Sequence, residues 1–184
     1  MPGALREETV RLLGDYLQHR LGRGAAPPPS RPAETLRRVA DELESRERPF
    51  FRSACSSAGA LPEEPGEAAA LLSRVAAQME AEGGLNWGRV VALVVFAGNL
   101  AAALAERGAR GDEETPGALA EALAAYLAGE KREWLEAHGG WDGFYHFFNK
   151  HGSDAAEQNS AISNAIMAAA GFGLAGLAFL LAVR

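Results

Sequence analysis

From Val90 to Ala105 the chain carries no charged residue. The stretch around it, Asn86 to Leu104, is too long for a typical strand and too short to cross a bilayer comfortably. It therefore predicts a helix buried on all sides, and such a helix dictates that the rest of the chain be wrapped around it. Asn86 suits the position before the first turn, where a side-chain oxygen accepts from an orphan backbone N–H. Arg89 falls within that first turn, where the helix dipole disfavours a cation. A guanidinium at the mouth of an apolar helix points to a site for an acidic partner. The competing reading is an arginine that snorkels to the surface.

With 184 residues there is room for one domain and an appendage. The formal net charge of -6 gives no electrostatic footprint for nucleic acid. One cysteine, Cys55, excludes an internal disulfide framework. The histidines His19, His138, His146 and His151 show no HExxH spacing and have no cysteine pair beside them, so no metal site is expected. The first residues are charged and lack the apolar run of a secretory signal.

Taken in order, Leu5 to Leu21 predicts an amphipathic helix with Leu5, Thr9, Leu12, Leu13, Tyr16 and Leu17 on one face. Gly22, Gly24 and the prolines at 27–29 form a loop. A second amphipathic helix is expected from Pro32 to Arg48, its face defined by Leu36, Val39 and Leu43. Ala40 is small enough to let a neighbouring helix approach, and Asp41 stands beside it. Phe50 and Phe51 end that segment, and 55–66 is small and turn-rich. Glu67 to Glu82 places Leu71, Leu72, Val75 and Met79 on one side and stops at Gly83-Gly84. Beyond the central helix, Thr115-Pro116 predicts an N-cap followed by a first-turn proline. One continuous helix then runs to about Ala137, with Leu119, Leu123, Tyr126, Leu127 and Trp134 as packing residues.

Gly139-Gly140 breaks the chain. Trp141 to Phe148 is so dense in aromatics that it must bury or bind something. No strand alternation is found, so the fold class expected is all-α. After a polar linker at 153–158, Ala165 to Val183 runs nineteen residues without a polar side chain. At 1.5 Å per residue that is roughly 28 Å, the thickness of a bilayer's hydrocarbon core, and it predicts a C-terminal transmembrane helix. Gly171, Gly173 and Gly176 spell GxGxxG. With no preceding strand this is a chance match, not a dinucleotide loop.

Asn86-Trp87-Gly88-Arg89 opens the apolar helix, Gly139-Gly140-Trp141-Asp142 with Phe144 comes next, and a hydrophobic tail comes last. In that order the three segments resemble the Bcl family of apoptosis regulators, whose first and second homology regions the first two match. Leu36, Val39, Ala40 and Asp41 resemble its third homology region, with alanine where glycine is commoner, and Leu5 to Arg20 resembles the N-terminal fourth. The resemblance covers essentially the whole chain. It implies a globular bundle of about eight helices around the central one over 1–152, a linker at 153–158, and a membrane anchor at 159–184.

The resemblance further implies a groove that binds the amphipathic third-region helix of a relative. By position its lining would be Leu43, Phe51, Val75, Met79, Val90, Ala92, Phe96 and Phe148. Asn86 and Gly88 would shape the rim, and Arg89, partly exposed in the free groove, would pair with the partner's aspartate. Glu47 departs from the family, which usually has an aromatic there, and Pro32 replaces the first apolar anchor of the third region. The function implied is anti-apoptotic: capture of pro-apoptotic relatives, both Bax-like executioners and helix-only activators. It would act at the mitochondrial outer membrane or the endoplasmic reticulum, with the N-terminal domain in the cytosol. The alternative is a membrane-permeabilising executioner of the same fold. No enzyme, cofactor, small-molecule substrate or nucleic acid is expected, since there is no nucleophile elbow, metal spacing or phosphate loop.

Overall fold

The computed structural model describes residues 2–24, 26–49, 51, 62–81, 84–108, 111 and 113–149. Seven α-helices and one π-helical turn have their bounds among the described residues, and no strand occurs among them. They are α1 (Pro2–Arg20), α2 (Arg31–Arg46), α3 (Pro65–Ala81), α4 (Trp87–Glu106), α5 (Thr115–Ala125), the π turn (Tyr126–Glu130), α6 (Arg132–Ala137) and α7 (Gly140–Phe148). Phe50, Cys55, the linker at 153–158 and the apolar segment at 165–183 lie outside the described residues.

The apolar stretch becomes α4, and it is the axis of the fold. It packs against α1, α2, α3 and α5. Among the described residues it is the one helix long and apolar enough to cross a membrane, yet 78% of its apolar window is buried, which makes it a core helix. Its single polar interior residue, Asn99, is satisfied locally, donating from Nδ2 to the Val95 carbonyl at 2.9 Å. At Gly98 a Cβ would stand 3.1 Å from Arg20 Cγ and 3.2 Å from the Tyr16 ring, so glycine is what lets α1 lie this close.

Helix α1 buries Thr9, Leu12, Leu13, Tyr16 and Leu17, the face expected from their spacing. Helix α2 starts at Ser30, whose Oγ accepts from the Ala33 N–H at 3.3 Å, with Pro32 in the first turn. Polar pairs then hold α2 against α1. Arg37 forks onto Asp15 (2.9 and 2.5 Å), Arg20 Nε meets both oxygens of Glu44 (2.9 Å each), and His19 meets Asp41 (3.0 Å). On its other side, Asn149 at the end of α7 accepts from Arg38 and donates to Thr35.

Two local expectations are corrected. Thr115 does not cap α5. It is already helical, and its hydroxyl donates back to the Gly111 carbonyl at 3.2 Å, a bond that competes with capping. Nor does one helix run from Thr115 to Ala137. The π turn inserts an extra residue at Tyr126–Glu130, which rotates the phase of the helix after it. Leu135, not Trp134, becomes the fully buried residue of α6, and Trp134 packs half-buried against Trp87 with ring centroids 4.9 Å apart.

The aromatic segment becomes α7 and turns Trp141, Phe144 and Phe148 inward. Trp87 at the start of α4 is their hub, 6.0 Å from Trp141 and 5.3 Å from Phe144 between ring centroids. The buried indole of Trp141 donates to Thr9 Oγ1 at 2.8 Å, and that hydroxyl donates to the Leu5 carbonyl at 2.7 Å. Thr9→Val keeps the shape and leaves the indole N–H without an acceptor. The expected loss is about 1–3 kcal/mol, read as a lower urea midpoint at unchanged m-value.

Candidate functional site

The site grows from the N-terminus of α4. Asn86 is extended, and its Oδ1 accepts from the Arg89 N–H at 2.8 Å, the cap its position predicts. Trp87, Gly88, Arg89 and Val90 form the first turn, all buried. The eight residues expected to line a groove, Leu43, Phe51, Val75, Met79, Val90, Ala92, Phe96 and Phe148, come together from α2, α3, α4, α7 and the segment after α2. All eight are buried members of the large hydrophobic core, which takes in residues of every described helix.

Arg89 differs from expectation. It is 4% exposed, not partly open to solvent. Its Nη1 donates to the Met79 carbonyl at 3.1 Å and to the Gly84 carbonyl. Both carbonyls lie at or just beyond the C-terminal end of α3, where the dipole favours a cation. The position that looked wrong for α4 is thus right for α3, which lies across it. The Nε is buried with no hydrogen-bond partner among the described residues. The guanidinium is thus buried and bonded to carbonyls, with no carboxylate on it among the described residues.

The end of α3 is held from its other side by the π turn. Lys131 Nζ donates to Glu80 Oε1, and the Tyr126 hydroxyl donates to Glu80 Oε2 at 3.3 Å. Burial, with the Glu80 charge beside it, pushes the Tyr126 phenol well above its ordinary range, so it remains a donor. Sequence reading did not place these three residues at the site. Glu80 is 46 and 51 positions from its partners, and nothing local pairs them.

The third-region residues Leu36, Val39 and Ala40 are fully buried in the interior, while Asp41 faces out to His19. In the second-region segment Gly139 and Gly140 adopt positive φ (83° and 62°), Trp141 and Phe144 are core, and Asp142 is exposed in the first turn of α7. Partial burial, and then Asp142 nearby, raise the Glu8 carboxyl above its usual range, with Arg11 opposing. No group of three or more His, Cys, Asp or Glu able to hold a metal occurs among the described residues.

The model of the Bcl-2 family of apoptosis regulator proteins matches residues 36–141. The chain is 70% identical to the chicken anti-apoptotic protein NR13 over the full length of both. It is 37% identical to human Bcl-2-like protein 10, over 80% of this chain and 78% of that one. Among solved structures, the zebrafish pro-survival protein NRZ in complex with a Bad BH3 aligns with a TM-score of 0.71 and 39% identity, over 80% of this chain and 97% of that one. NRZ in its apo form aligns at 0.70 and 38%, over 82% and 97%. The order of the homology regions, the helices built around α4, and these similarities agree: the chain belongs to the Bcl-2 family of apoptosis regulators.

Proposed function

We propose that the protein is an anti-apoptotic regulator that captures the third-region (BH3) helix of pro-apoptotic relatives in the apolar cluster between α2, α3, α4 and α7. The observation that carries this reading is Arg89: a buried guanidinium on the helix that carries the core, with an unpartnered Nε and no carboxylate on it among the described residues. An amphipathic helix supplies what that arrangement lacks, apolar anchors at helical spacing and one acid at a fixed register. The names of the relatives support the survival role over the executioner role, and the Bad BH3 complex of NRZ supports the ligand class. No bond is made or broken. Binding alone withholds the partner. Titration of a synthetic Bad BH3 peptide into the full-length chain in lipid nanodiscs tests the reading. Saturable one-to-one binding, lost on replacing the peptide's aspartate with alanine, is expected; absence of binding would end this assignment.

The proposal extends to the membrane. Residues 1–152 form the cytosolic binding domain, 153–158 a linker, and 159–184 a single-pass anchor at the mitochondrial outer membrane or the endoplasmic reticulum. Its support is the apolar run at 165–183. Deleting 161–184 is expected to release the protein from membranes on a carbonate wash, and a truncated chain that still pellets would refute the anchor.

A further inference from the structure

We propose that Lys131 and Tyr126, acting through Glu80, are positioning residues for ligand binding: they fix the end of α3, which in turn holds Arg89 with its carboxylate-binding edge free. This rests on the groove reading above and adds to it a positioning contact that reaches α3 from the π turn.

The guanidinium of Arg89 divides its labour between two edges. The side chain has a side-on fork, Nε with Nη2, that matches the two oxygens of a carboxylate. In this structure neither member of that edge makes a hydrogen bond among the described residues, and Nε is fully buried. Among the described residues, the bonds that orient the group come from Nη1, to the carbonyls of Met79 and Gly84. The end of α3 therefore orients the buried fork without using its hydrogen bonds, and a ligand reaches it as the site opens.

Beyond the core packing of Val75, Ala76 and Met79, that end is tied by polar contacts of Glu80 and Gly84. Gly84 has φ of 83°, and its N–H donates to the Glu80 carbonyl at 2.8 Å. Glu80 itself is anchored by its side chain, with Lys131 and Tyr126 each taking one carboxylate oxygen. Both donors belong to the π turn and its C-cap, where the extra residue brings Lys131 and Tyr126 to the same side. Lys131 N–H donates to the Tyr126 carbonyl at 2.8 Å, which closes the turn. The chain of contact is continuous: π turn to Glu80, Glu80 to Gly84, Gly84 and Met79 to Arg89. Neither Lys131 nor Tyr126 is among the groove-lining residues.

Loosening this clamp leaves the charge of Arg89 in place but lets its orientation vary, so the ligand must order the fork as it binds. Ordering one long side chain corresponds to about a three- to tenfold change in affinity. The loss should appear only for a ligand that uses the fork.

The test compares wild type, Lys131→Met, Lys131→Arg and Tyr126→Phe as full-length chains in nanodiscs, each with the Bad BH3 peptide and with that peptide's aspartate changed to alanine. Amide exchange at Gly84 is followed in parallel. Lys131→Met and Tyr126→Phe are expected to speed Gly84 exchange and to weaken the intact peptide three- to tenfold, with no change for the alanine peptide. Lys131→Arg is expected to restore both. Tyr126→Phe removes one oxygen and keeps the ring, so it supplies the answer if Lys131→Met folds poorly. Equal affinity in all four chains overturns the inference, and so does an equal loss for both peptides, which would mean a general weakening of the α3 wall. A wild-type chain that fails to bind the peptide overturns the groove reading itself and removes the ligand on which this inference depends.

Discussion

Gly143→Ala is expected to cost at least about 2 kcal/mol of stability, lowering the melting temperature by about 4 °C or more. The sign is not obvious, because alanine is the better helix former by about 1 kcal/mol and position 143 lies inside α7. The surroundings decide it. A Cβ at Gly143 would stand 1.8 Å from the His138 carbonyl oxygen, far inside any permitted contact. That oxygen belongs to backbone at the end of α6, held by the His138 N–H on the Trp134 carbonyl at 3.1 Å, so it cannot swing away as a side-chain tip would. Either α7 shifts or α6 unwinds, and both carry Trp134, Trp141 and Phe144 off Trp87. Gly117→Ala is the control. It is a helical glycine with nothing within 4 Å of the place a Cβ would occupy, so the same change there is expected to stabilise by about 0.5–1 kcal/mol. Thermal unfolding of the two variants beside wild type checks both signs, and near-ultraviolet circular dichroism reports the tryptophan cluster. A Gly143→Ala melt at or above wild type would mean the α6–α7 junction relaxes freely.

The features legible in the sequence are those that depend on neighbours along the chain. Asn86 caps α4 as its side chain predicts, the faces of α1 and α2 bury the residues their spacing selects, and Trp141, Phe144 and Phe148 of the aromatic run turn inward while Phe147 stays exposed. The features that were not legible depend on groups far apart in sequence. The acceptor for the Trp141 indole is Thr9, 132 positions away, and a threonine on an amphipathic face carries no mark of that role. The π turn could not be foreseen from a run of alanine and leucine, because its residues face Glu80 on another helix. Arg89 sits between the two cases. The sequence marks it as a cation at the wrong end of α4. Only the packing reveals that the same atoms lie at the favourable end of α3, and hence that the residue is buried and structural as well as the proposed partner of a ligand's acid.

That double role sets the result expected for Arg89→Ala. Binding of a BH3 peptide should fall about 30-fold or more, because removing one member of a desolvated ion pair leaves the other buried and unpaired, about 2–5 kcal/mol in comparable interfaces. Stability should fall as well. The carbonyls of Met79 and Gly84 lose the donor they share, a loss of about 1–3 kcal/mol, offset in part by removing a buried Nε that has no acceptor among the described residues. A binding loss alone would therefore be ambiguous, since a frayed α3 could cause it. Arg89→Lys separates the roles. An ammonium can still donate to the α3 carbonyls, so its melting temperature should stay nearer wild type, but a point charge cannot reproduce the fork, so its affinity should still drop. Calorimetry with the intact peptide and with its aspartate-to-alanine form, on wild type and Arg89→Ala, completes a double-mutant cycle. Direct pairing predicts that the two losses are strongly sub-additive. If they simply add, Arg89 serves the end of α3 and nothing in the ligand, and the groove's register must be set elsewhere.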